Sequence, residues 1–179
     1  MQAQHRRKQL IGIAGAVPAI ICVVLVLKFA PQLFGAVVLP ADAPGERLAF
    51  VSRWLLVPGV TLLAGVVLAA RRGFYADAID GTRMPLGHGL EINLRYNQNT
   101  LEQTVLAALA WVGLAITLPT ARLVLIPAMA TLFLAGRMTF WIGYLLHPMG
   151  RAFGMTLTAL PTVGSFGWLL WRSIIESLS

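Results

Sequence analysis

Charge and cysteine are what this sequence has least of. Only 12% of its 179 residues are Asp, Glu, Lys or Arg, about half the share of an ordinary soluble domain, while 58% are apolar. A water-soluble fold has no means of hiding so much apolar surface. A single cysteine, Cys22, excludes a disulfide framework and a thiolate metal site. The three histidines, His5, His88 and His147, fall in separate segments without ligand spacing, so no metal is expected. Basic residues outnumber acidic ones 14 to 7. They are scattered at the ends of apolar blocks, where anionic lipid head groups favour them, and form no basic-aromatic stripe, so no nucleic-acid partner is expected. Gly81, Gly87 and Gly89 form a loop that lacks the lysine and hydroxyl order of a phosphate cradle. Asp77 and Asp80 lack the second acidic pair that a membrane phosphatidyltransferase needs. Both features read as solvated loop.

What is present is long apolar runs, five of them. Leu10 to Leu27 carries no charge, and Trp54 to Ala70 is closed by Arg71 and Arg72; each is close to the ~20 residues that span hydrocarbon. A third span starts amphipathically near Glu91, turns apolar from Thr104 to Leu118, and stops at Pro119 and Thr120. The fourth runs from Ala121 to His147, and the fifth from Ala152 to Trp171. Pro18, Pro58, Pro127 and Pro161 lie inside spans and predict kinks. The first block is too long for a signal-peptide core and lacks a clean cleavage site after Lys28, so it reads as a retained helix. The fold class is all-α and integral to the membrane. Basic residues in the short joints place the N-terminus, with Arg6, Arg7, Lys8, Arg71, Arg72, Arg83, Arg95 and Arg151, in the cytosol.

Charges inside spans are expensive, and Glu102 and Arg137 lie deep in spans three and four. In a hairpin turning between Pro119 and Thr120 they stand equally far from the turn, which predicts a buried ion pair. By the same count Arg95 is level with Tyr144, and Asn99 with Phe140. Arg95, Asn99 and Glu102 follow an i, i+4, i+7 spacing, as do Arg137, Trp141 and Tyr144, so two polar stripes are expected to face one another. One reading is a pair that pins helix register. The other is a cavity for a zwitterionic ligand of net negative charge, with arginines for its carboxylates, a carboxylate for its ammonium, and amide and phenol groups for its polar backbone.

The stretch Arg95-Tyr96-Asn97-Gln98-Asn99-Thr100-Leu101-Glu102, then Gly136-Arg137 with Tyr144 beyond it, then Arg151-Ala152-Phe153-Gly154 and Leu160-Pro161, resembles the MAPEG family, the membrane-associated proteins in eicosanoid and glutathione metabolism. The likeness covers residues 48–175, with residues 1–30 an additional N-terminal transmembrane helix before a MAPEG-like four-helix bundle. The resemblance implies a homotrimer embedded in membrane lipids, with glutathione held at the cytosolic side between subunits and a lipophilic small-molecule substrate arriving from the bilayer. It implies that Arg95, Asn99, Glu102, Arg137 and Tyr144 bind glutathione and that Arg151 is catalytic, stabilising the thiolate. Small residues Ala107, Ala110 and Gly113 are expected to allow close subunit approach. The activity implied is a glutathione-dependent transferase or peroxidase acting on lipophilic electrophiles or lipid hydroperoxides. The alternative is a non-enzymatic lipid-binding or scaffolding protein, since Asn97-Gln98-Asn99 is shared with the family's lipoxygenase-activating member. Ala152, Met155 and Phe140 replace a serine, a tyrosine and a histidine of the family's prostaglandin E synthase, which argues against that specialised chemistry.

Overall fold

The computed structural model describes residues 2–81 and 89–178. The described residues are helical apart from turns and connecting segments: α1 (Gln2–Lys28), the short α2 (Ala30–Leu33), α3 (Pro44–Ala69), α4 (Leu90–Thr117), α5 (Leu125–Leu146) and α6 (Ala152–Leu178). Five of these, extended in two cases by a 3₁₀ turn, are long and apolar enough to cross a bilayer. Outward-facing side chains such as Leu63, Val67, Leu109, Ile142 and Leu170 are apolar and more than half exposed, as lipid contact requires.

The α4–α5 turn lies where the sequence places it. Helix α4 ends at Thr117, Leu118 and Pro119 are extended, and a 3₁₀ turn over Thr120–Arg122 leads into α5. Two arginines close the end of α4, whose last carbonyls have no partner within the helix. Buried Arg47 donates to Ala115 O at 2.9 Å and Leu118 O at 2.7 Å, and to Thr120 Oγ1 at 3.0 Å, while pairing with Asp42 at 2.8 Å. Arg172 donates to Thr117 O and pairs with Glu176. The second span therefore begins well before Trp54. Pro44 occupies the first helical turn, where its missing N–H costs nothing, and Glu46 accepts the Ala41 N–H at 2.9 Å. Pro127 likewise sits in the first turn of α5 and has no N–H to forfeit there, so it imposes no kink.

The main core fills the α4–α5 turn end of the bundle. Phe50 and Val51 from α3, Ala107, Ala110, Trp111 and Leu114 from α4, and Met129 and Phe133 from α5 form it, with Trp111 edge-on to Phe133 at 6.3 Å. Ala107 and Ala110 are thus consumed inside the protomer, and Gly113 faces Leu169 of α6. None of the three is free to bring a second subunit close, because each already admits a neighbouring helix of its own chain. Helix α1 lies along α6 and touches α5, with Ala19 and Val23 buried against Leu132 and Leu157.

Helices α5 and α6 approach at backbone distance. A Cβ on Gly154 would stand 2.2 Å from Phe140 N and 2.3 Å from Gly136 O, and Gly143 and Gly150 oppose each other just as tightly. Of the loop between α3 and α4, Gly81 and Gly89 adopt positive φ of 76° and 67°, and Asp77 and Asp80 are exposed. Arg83, Gly87 and His88 lie outside the described residues.

Candidate functional site

Arg137, on α5, is 1% exposed and sits among α4, α5 and α6. It donates to Asn99 Oδ1 at 2.7 Å and to Thr158 Oγ1 at 2.5 Å. Its guanidinium carbon lies 4.7 Å from the Phe140 ring centroid and 5.7 Å from that of Phe133, a cation–π setting on two sides. Thr158 reaches it because Gly154, one turn earlier on α6, lets that helix close on α5.

The expected ion pair with Glu102 does not form within the protomer. Glu102 is exposed and accepts from Gln98 Nε2 at 2.9 Å. Counting residues from the turn fixes depth but not the direction a side chain takes around the helix. The inward face of α4 runs through Asn93, Tyr96, Thr100, Gln103, Ala107 and Ala110, at the helical period. Asn99 borders that face and reaches Arg137, while Glu102 falls on the outer side. A neutral amide also meets the guanidinium without desolvating a second ion, which costs several kcal/mol.

The remaining residues gather at the end of the bundle away from the α4–α5 turn. Arg95 and Tyr144 line one groove of about 370 Å³, together with Glu91, Ile92, His147 and Pro148, so their expected level holds. Exposed Arg95 pairs with Glu91 at 3.0 Å. The Arg151 guanidinium stacks over the Tyr144 ring at 4.8 Å, and no described carboxylate pairs with it. Tyr144 in turn packs edge-on to Phe140 at 5.8 Å. A continuous column therefore runs Arg151, Tyr144, Phe140, Arg137, Asn99. Two chains of contact support it from α4: Tyr96 packs on Phe140 and Trp141 and donates to Thr61 O, and Trp141 Nε1 donates to Asn93 Oδ1 at 3.2 Å.

Outside this column, Glu91, Arg95, Gln98 and Glu102 form a polar stripe down the outer face of α4. Arg95, Gln98 and Glu102 on it are exposed, among apolar neighbours such as Leu101, Val105 and Leu109. Sequence reasoning missed Thr158 as the second partner of Arg137. Its signal was Gly154 four residues earlier, inside the Arg151-to-Gly154 motif.

The family model that matches this chain is that of the MAPEG family, over residues 49–171. No curated protein and no solved structure matches it. Helix α1 lies before the matched residues.

Proposed function

Since the chain belongs to the MAPEG family, we propose that it is a membrane-bound, glutathione-dependent transferase or peroxidase acting on lipophilic electrophiles or lipid hydroperoxides. The observation that carries the reading is the convergence of Arg95, Tyr144 and Arg151 at one end of the bundle, with the Arg151 charge uncompensated by any described carboxylate. The groove beside Arg95 offers a guanidinium for a carboxylate and a phenol for polar backbone atoms, which suits a small anionic peptide. Glu102 offers a carboxylate for an ammonium. Glutathione supplies the thiol; in its thiolate form it is the nucleophile toward an electrophilic carbon or a peroxide oxygen.

Arg151 acts on the thiol through its field. A free thiol ionises near pKa ~8.5, and an adjacent guanidinium lowers that value. The Tyr144 ring beneath it fixes where that charge points, so the stabilisation is organised before the thiol arrives. Arg137 gives one guanidinium nitrogen to Asn99 and another to Thr158. Their part is to hold α4, α5 and α6 in the register that sets Phe140 and Tyr144 in place.

The functional unit is a homotrimer, and the polar stripe of α4 supports it. Exposed Arg95, Gln98 and Glu102 beside lipid-facing leucines are costly in a bilayer unless a second protein surface or a polar ligand covers them. The site lies at that interface, on the cytosolic side. The test is Arg151→Ala, with glutathione binding, thiolate absorbance and turnover measured beside melting temperature. A folded variant with at least ten-fold less thiolate and turnover is the expected result. Undiminished thiolate in a folded variant rejects Arg151 as the activating group and favours a lipid-binding role without catalysis.

A further inference from the structure

Helix α1 does more than add a span. With α4, α5 and α6 it encloses an apolar cavity of about 500 Å³, lined by Ile20, Leu27, Leu118, Met129, Leu160 and Gly164 among others, and by Arg122. A second cavity of about 280 Å³ adjoins it at Leu27, Arg122 and Leu125 and adds Lys28 and Pro31. Together they make a groove with apolar walls and a cationic lip, at the end of the bundle opposite Arg95 and Arg151. Lys28 and Arg122 are both exposed and meet no described carboxylate. Asp42, in the segment between α2 and α3, is paired with Arg47.

We propose that this groove is a binding site for an acidic membrane phospholipid, with one acyl chain between α1 and α6 and the phosphate at Lys28 and Arg122. The volume lies in the range of about 300–1,000 Å³ typical of small-ligand sites. An apolar groove facing hydrocarbon does not stay empty, because its walls would forgo their dispersion contacts. Yet lipid tails are as apolar as leucine, so moving a chain from the bilayer into the groove gives little selectivity by itself. Selection must come from the head group, and two cations at the mouth that meet no described carboxylate choose an anion, Lys28 having only the Phe29 ring beneath it at 5.5 Å. The proposal does not depend on the enzymatic reading, since the groove and the Arg151 column share no residue.

The test uses the full chain purified in mild detergent and native mass measurement after exposure to phosphatidylglycerol or phosphatidylcholine of the same acyl chains. Two basic residues near a lipid head group predict retention of phosphatidylglycerol over phosphatidylcholine by roughly ten-fold or more. Lys28→Gln with Arg122→Gln should erase that preference, and both residues are exposed, so folding should persist. Gly164→Phe should reduce retention of either lipid, since a Cβ there meets open space and the ring fills the groove. Melting temperature checks each variant. Equal retention of the two lipids by the parent chain overturns the proposal, as does unchanged retention in folded Gly164→Phe. Displacement of phosphatidylglycerol by equimolar oleate also overturns it, since the site would then serve a free fatty acid.

Discussion

Gly154→Ala tests whether α5 and α6 meet at backbone distance and whether that contact holds the buried arginine. The added methyl would stand 2.2 Å from Phe140 N and 2.3 Å from Gly136 O. Both obstacles are main chain, so no side chain can rotate away, and the helices must part by about 1 Å to restore ordinary contact. Overpacking of this kind costs about 1–3 kcal/mol. Parting the helices also stretches the 2.5 Å bond from Arg137 to Thr158, and a hydrogen bond to a charged group contributes about 1.5–3 kcal/mol. Against this stands the gain in helix propensity from Gly to Ala, about 1 kcal/mol. The net expectation is a loss of about 1.5–5 kcal/mol. Gly164→Ala is the control, because its methyl meets nothing within 4 Å and should leave stability unchanged or raise it slightly. The assay is reversible unfolding in mixed micelles, with both variants run beside the parent protein. If Gly154→Ala is as stable as Gly164→Ala, the close approach and the account of Arg137 built on it are wrong.

Arg47→Met should lower stability by about 2–4 kcal/mol in the same assay, because it orphans two carbonyls at the end of α4; a neutral outcome would mean water or lipid satisfies them. Asn99→Ala should cost about 1.5–3 kcal/mol by removing a charge-assisted bond to Arg137. Glu102→Ala should leave protomer unfolding within about 0.5 kcal/mol, and equal losses for the two variants would restore the ion pair that the geometry denies. Single cysteines at Gln4 and Ser177 in a Cys22→Ala background should label from opposite faces of the membrane, since five spans separate them; labelling of both from one side would remove a span.

The five spans and the α4–α5 turn were legible because bilayer thickness and proline stereochemistry act on sequence directly. Depth was legible too, which is why Arg95 and Tyr144 share a groove. Orientation about the helix axis was not, since it depends on which neighbour α4 packs against. Asn99 and Glu102 differ by less than one turn, yet one reaches Arg137 and the other faces outward. Arg47 precedes the uncharged run that starts at Trp54, so nothing in the local sequence marks it as buried. Its burial follows from three oxygens contributed by residues near the distant α4–α5 turn, a dependence no local pattern encodes.

These placements share one physical logic. A buried guanidinium matched to a carboxylate desolvates two ions, and attraction between them often fails to offset that cost. Here buried Arg137 turns to an amide and a hydroxyl, and buried Arg47 to two carbonyls and a hydroxyl, its carboxylate partner, Asp42, being itself 85% exposed; half-buried Arg172 divides itself between a main-chain carbonyl and the exposed Glu176. Helix-end carbonyls are already polar and already lack partners, so satisfying them with an arginine settles two debts of solvation at once. The consequence is that the acidic residues of the described chain are released to its surface, and Glu102 is the one among them set in the middle of a span. Within the protomer that carboxylate meets the exposed Gln98 amide on its own helix. It is the group to replace first in seeking what covers the outer face of α4: Glu102→Gln should weaken self-association in detergent while leaving the melting of the isolated protomer unchanged, and a variant that assembles like the parent would place the subunit contact elsewhere.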